Sequence, residues 1–177
     1  MPVRRKYIRS LVEQLLKKHR IQSAPVPVEE LARSLGVRVV KEPTDDELSG
    51  FLYRDRGQKA AIIGANANHH PNRQNFTVAH ELGHFLLHDG DEVHVDRGFQ
   101  IKLRSEFSSK GVDIQERESN LFAAELLMPA SFLKTDLEKV HAVRLDVEGV
   151  VAELANKYGV STQAMMFRLA NLDYIKL

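Results

Sequence analysis

The chain has 177 residues, 43% hydrophobic and 28% charged, a balance that excludes disordered and fibrous classes and suits one compact domain. Twenty-five lysines and arginines against 24 aspartates and glutamates leave a formal charge of +1, which argues against a surface given over to nucleic acid. The absence of cysteine excludes disulfides, thiolate metal sites and a cysteine nucleophile.

The basic N-terminus (Arg4, Arg5, Lys6, Arg9) is followed by no apolar run of signal-peptide length, and no stretch approaches the roughly 18 apolar residues of a membrane span. A cytoplasmic protein without membrane association is expected. Ile8, Leu11, Val12, Leu15 and Leu16 recur at helical spacing and predict a helix over 4–19, its charges a solvated face. After a break at Ala24-Pro25-Val26-Pro27, residues Val28, Leu31, Ala32 and Leu35 predict a short helix stopped by Gly36. Val37 to Val40 reads as a strand. Gly50 to Tyr53 and Lys59 to Gly64 read as two more around a turn at Arg54-Asp55-Arg56-Gly57, giving a small sheet before residue 70. Asn66 to Asn75 reads as a loop, Phe76 to His88 as a helix, and 89–112 as an irregular charged segment. A helix capped by Asp113, with Glu116 three residues on, runs to Pro129. Three helices follow near 131–140, 146–158 and 161–171, with Gly159 and Ser161 marking the last junction. The expected class is α+β: an N-terminal three-stranded sheet packed with helices, then a mostly helical C-terminal half. A core over 1–140 carries a helical subdomain over 141–177.

The stretch that carries chemistry is His80-Glu81-Leu82-Gly83-His84. Positions i and i+4 lie about 40° apart around a helix, so His80 and His84 share one face, one turn apart. Two neutral imidazoles there can bind one zinc ion, and Glu81, beside the first, stands where a general base for a water is needed. Gly83 is expected to leave room near the metal-bearing face. A third ligand is required. A third histidine ten residues after His80 fails, because position 90 is glycine and position 87 is leucine. A later glutamate is the alternative. Glu116 is favoured, with Asn120 one turn on to hold a ligand histidine from behind. Glu118 lies about 200° around the helix from Glu116, so the two cannot both face the metal, and Glu125 is a poorer third choice. His88 reads as a helix-end histidine near the site. His69 and His70 are loop histidines that could donate to a reacting carbonyl, and His19, His94 and His141 join no constellation.

The run from Phe76 to His84, followed by Asn120-Leu121-Phe122-Ala123-Ala124-Glu125-Leu126-Leu127-Met128-Pro129, resembles the ImmA/IrrE family of zinc metallopeptidases over about residues 20–170. The resemblance implies a minimal zincin-like core, His80, His84 and Glu116 on zinc, and Glu81 as base. Ser119 departs from the family's usual alanine. It further implies a cytoplasmic endopeptidase or antirepressor that inactivates a helix-turn-helix repressor on a separate chain, a switch for mobile-element or stress-response genes. Histidine and carboxylate ligands suit Zn2+ and tolerate Mn2+. An extended substrate segment is expected along an edge strand at Ala60 to Ile63, by β-augmentation.

Two other classes compete. Asp146 to Leu172 has helix-turn-helix spacing, yet its second helix offers only Arg168 to base edges, which argues against direct DNA binding. A binding module that sequesters its partner without cutting it, or one half of a toxin–antitoxin pair, is the other; intact His80, Glu81 and His84 argue against a dead site.

Overall fold

Ile8, Val12, Leu15 and Leu16 form one buried stripe of α1 (Arg5–Lys18), which packs on α4 (Lys110–Leu127). The computed structural model describes residues 2–55, 57, 60–90, 92–97, 110–140 and 147–176, with the backbone alone for 97, 110–113 and 140. After α1 come α2 (Val28–Ser34), β1 (Val37–Glu42), β2 (Leu48–Asp55), β3 (Ala60–Asn66), α3 (Pro71–Leu87) and β4 (Val93–Arg97). Then α4, α5 (Ala130–Val140), α6 (Val147–Tyr158) and α7 (Thr162–Asn171) complete the α+β fold. Gly36, at φ +82°, ends α2, and Ser161 Oγ accepts from Ala164 N–H to cap α7.

The sheet is mixed and ordered β1-β3-β2-β4. Ala61 pairs with Val37 on one side and with Arg54 on the other, so β3 is interior. This corrects the expected substrate edge at Ala60 to Ile63: Ala61 to Ile63 are paired on both sides, and among the described residues the edges are β1 and β4. β4 adds a fourth strand to the three expected, inside the segment read as irregular. It pairs antiparallel with β2, His94 opposite Leu52. Its alternation is inverted, with Val93 and Val95 exposed and His94 and Asp96 turned inward, so no hydrophobic face advertises it.

α3 starts at Pro71, five residues before its apolar periodicity does. Pro71 occupies the first turn and the His70 side chain accepts from Asn72 N–H, so polar capping sets this start. α4 starts at Lys110, which puts Asp113 inside the helix instead of at its cap. The turn residue Arg56, His141 and the boundary between 140 and 141 lie outside the described residues.

α3 and α4 pack at close range. A Cβ on Gly83 would stand 3.1 Å from Ser119 Cα and 3.1 Å from Phe122 Cδ1. Gly83 therefore serves the approach of α4 and does not leave open space beside the metal-bearing face. Arg168 on α7 is buried. It donates to Met128 O at 2.9 Å and to both carboxylate oxygens of Glu125 at 3.1 and 2.6 Å. The one cation that the helix-turn-helix reading offered to DNA is thus locked in the interior.

Candidate metal centre

His80 and His84 are both buried on the face of α3 that α4 covers, with their Nε2 atoms 3.1 Å apart. Glu116 reaches over from α4. Its Oε1 lies 3.1 Å from His84 Nε2 and its Oε2 lies 3.4 Å from His80 Nε2. A tetrahedral zinc ion with bonds of about 2.0–2.1 Å separates its donors by about 3.3 Å. The three donors therefore fit three corners of one coordination shell. Asn120, one turn beyond Glu116, sits 3.0 Å from His80 Nδ1. A carboxamide oxygen accepts the Nδ1 proton and leaves Nε2 free for an ion. Buried on α3 between the two histidines, Glu81 has one carboxylate oxygen without a protein partner.

The group that sequence reasoning missed is His94. Its Nδ1 lies 3.1 Å from Glu81 Oε2, its Nε2 lies 3.1 Å from Glu116 Oε1, and its ring centre is 4.0 Å from that of His84. Asp96, two residues along the same face of β4, forms a second ligand-competent group with His80 and Glu81 among the described residues. Its Oδ2 is buried without a protein partner.

Charge in the site follows from these contacts. Burial opposes ionisation of Glu116, but hydrogen bonds from His80, His84 and His94 together hold its carboxyl well below the usual range. Burial pushes His84 down, toward the neutral form that ligates. Burial also opposes protonation of His94, yet Glu116 and Glu81 carry it up to about 10. Burial raises Asp96.

The other candidates lie elsewhere. Glu118 is buried against Arg4, whose Nη2 is 2.5 Å from Oε2, and against His88 Nε2 at 3.1 Å. Glu118 and His88 thus satisfy each other away from the ligand set. Glu125 is bound by Arg168 and by Arg9 at 2.8 Å. His70 caps α3 ten residues before His80, about 15 Å along the helix, and His69 precedes it. Neither is brought to the site. Arg54 from β2 donates to His84 O at 2.8 Å, a cation at the carboxyl end of α3 that fixes the helix against the sheet.

Residues 32–170 match a peptidase family described as the IrrE N-terminal-like domain. Immunity region protein 2 of Bacillus phage phi105 is 32% identical over 152 residues, spanning 84% of this chain and 87% of its own length. The radiation response metalloprotease IrrE of Deinococcus deserti is 29% identical over 164 residues, 85% of this chain and 54% of its own. A Mycobacterium tuberculosis transcriptional regulator shares the fold at a TM-score of 0.64 and 15% identity, over 93% of this chain and 46% of its own. The chain spans about half the length of the last two. No described helix is long and apolar enough to cross a membrane.

Proposed function

Because the chain belongs to the peptidase family of IrrE N-terminal-like domains, we propose that it is a zinc-dependent endopeptidase that inactivates a helix-turn-helix repressor carried on a separate chain in the cytoplasm. Its relatives support the coarser statement, a metalloprotease-type regulator in stress or immunity control. The observation that carries the finer one is the convergence of His80, His84 and Glu116 within tetrahedral spacing, with buried Glu81 alongside. Two imidazoles and a carboxylate suit zinc, with Mn2+ a tolerated substitute.

A divalent ion held by these side chains supplies Lewis acidity to a peptide carbonyl and acidity to a water. Glu81 accepts a proton from the water whose oxygen bonds to the peptide carbonyl carbon, and passes it to the nitrogen of the departing amine as the C–N bond breaks, leaving a carboxylic acid and an amine. Asn120 keeps the His80 ring in its ligating tautomer. His80, Glu81 and His84 are buried from bulk water, and Glu116 and His94 beside them are part exposed. An extended substrate segment fits along β4, whose pairing with β2 leaves its other edge open among the described residues.

The test is Glu81→Gln against wild type, with metal measured by mass spectrometry and candidate repressors followed by intact mass. One zinc per chain in both proteins, and cleavage reduced by about 10²–10⁴-fold in the variant, is expected. Repressor inactivation that survives undiminished in Glu81→Gln would replace proteolysis with sequestration.

A further inference from the structure

His94 is neither one of the three converging ligands nor the base, yet it touches both. It stands on β4, an edge strand among the described residues, opposite Leu52 of β2, so its backbone is held by the sheet and not by a loop. One imidazole carries two nitrogens in a fixed geometry, and here each meets a different carboxylate. Nδ1 faces Glu81 on α3 and Nε2 faces Glu116 on α4, both at 3.1 Å. The ring also lies against His84 at 4.0 Å between centres, which limits its rotation. Among the described residues Glu81 has no other hydrogen-bond partner, and its second oxygen is buried without one.

We propose that His94 is a positioning residue of the hydrolytic site: its ring spans Glu81 and Glu116 and fixes the base at a set distance from the third ligand. The proposal rests on the peptidase reading above. The three elements that build the site are two helices in direct contact and a strand that touches them only along its inner face. Without the imidazole, the buried Glu81 carboxylate and the part-exposed Glu116 carboxylate, of like charge, lose the group that ties them and are free to turn apart. Glu116 then meets an incoming ion less often in the orientation that completes the His80–His84 pair. Supporting residues of this kind typically contribute 10–100-fold to metal affinity.

Three variants separate hydrogen bonding from packing. His94→Phe keeps a flat ring against His84 and removes both ring nitrogens. His94→Gln keeps a donor able to reach Glu116. His94→Ala removes both ring and donors. Each is first checked for native circular dichroism, then its zinc affinity is measured by competition with a chromophoric chelator. About a 10–100-fold loss is expected in His94→Phe and His94→Ala, with partial recovery in His94→Gln. Zinc binding by His94→Phe equal to wild type overturns the proposal, since the ring would then act by shape alone. A second readout uses histidine labelled with 15N in the zinc-loaded protein. Glu81→Gln is expected to shift Nδ1 of His94 more than its Nε2; no shift at either nitrogen also overturns the proposal. A wild-type protein that takes up no zinc removes the peptidase reading itself, an outcome visible before any His94 variant is made.

Discussion

Helix α4 carries glutamates on two faces, and their fates differ completely. On one face Glu116 meets His80, His84 and His94. On the other, Glu118 meets Arg4, and further along Glu125 meets Arg168 and Arg9. The residue type and the helix are the same, so the partner decides the role. A guanidinium never gives up its proton and binds a carboxylate through a rigid fork, which makes Glu118 and Glu125 permanent struts. An imidazole can give up its proton and then offers a nitrogen lone pair to an ion, beside the carboxylate it had bound. Among the described residues, the donors on α4 that could hold an ion with His80 and His84 therefore gather on the Glu116 face, while on the other face His88 is the one histidine beside the guanidinium groups.

The sharpest way to break this comparison is to remove one glutamate from each face. Glu116→Ala is expected to lose stoichiometric zinc, with affinity falling by more than about 100-fold, beyond what a supporting residue contributes. Glu118→Ala is expected to keep one zinc per folded chain. Metal content by mass spectrometry of the two purified variants decides the matter, and the reverse result would move the third ligand to the arginine face. On the strut face the large effect is on stability. Glu125→Gln leaves Arg168 buried, 4% exposed, with its charge partner neutralised and one of two acceptor oxygens lost. Breaking a buried pair in this way costs about 3–5 kcal/mol, or roughly 10 °C in the melting midpoint of a chain this size. Zinc content per folded molecule is expected to stay unchanged, and calorimetry beside metal analysis separates the two quantities. Arg9, half exposed on the outer side of the same carboxylate, contributes little.

These contrasts were unevenly legible in the sequence. His80, Glu81 and His84 declared themselves because one helix turn sets their spacing, a purely local relation. Glu116 and Asn120 were readable by the same rule once a second helix was assumed. The 200° between Glu116 and Glu118 separated them around the axis, but only the placement of Arg4, more than a hundred residues away, shows which face turns from the site. His94 was hidden for a different reason. Its neighbours Val93 and Val95 point outward, so the period-two signal runs opposite to a core-facing strand. Its approach to Glu81 depends on β4 pairing with β2, a relation across the sheet that no local pattern encodes. The substrate edge was misplaced for the same reason: a hairpin is legible in sequence, but β1 pairing parallel on the far side of β3 is not.

The smallest effect sharpens the comparison most, because it asks whether the strut face acts through charge. Hydrogen bonds from Arg4 depress the Glu118 carboxyl to about 2, from an ordinary 4.5. A carboxylate depressed in the folded state adds stability that is complete above its unfolded value and is lost as pH falls. The loss from Glu118 therefore runs from about pH 4.5 down to about 2. Burial lowers His88, which faces the same carboxylate, so its own contribution starts to fall earlier, below its ordinary 6.5. Arg4 is 46% exposed, and solvent screening reduces what the full shift would give to about 2 kcal/mol. Arg4→Met keeps the aliphatic stem and the backbone N–H that also binds Glu118, while it removes the guanidinium. In urea unfolding of the zinc-free protein, the gap between wild type and Arg4→Met is expected to be about 1 kcal/mol at pH 6, because the backbone N–H and His88 keep part of the shift, and to close toward pH 2–3. A gap that stays constant across that range would place the contribution of Arg4 in its bond to Leu87 O and its stacking over Tyr7 at 5.6 Å, both indifferent to the charge on Glu118. The arginine face would then be held by packing, and charge would distinguish only the histidine face.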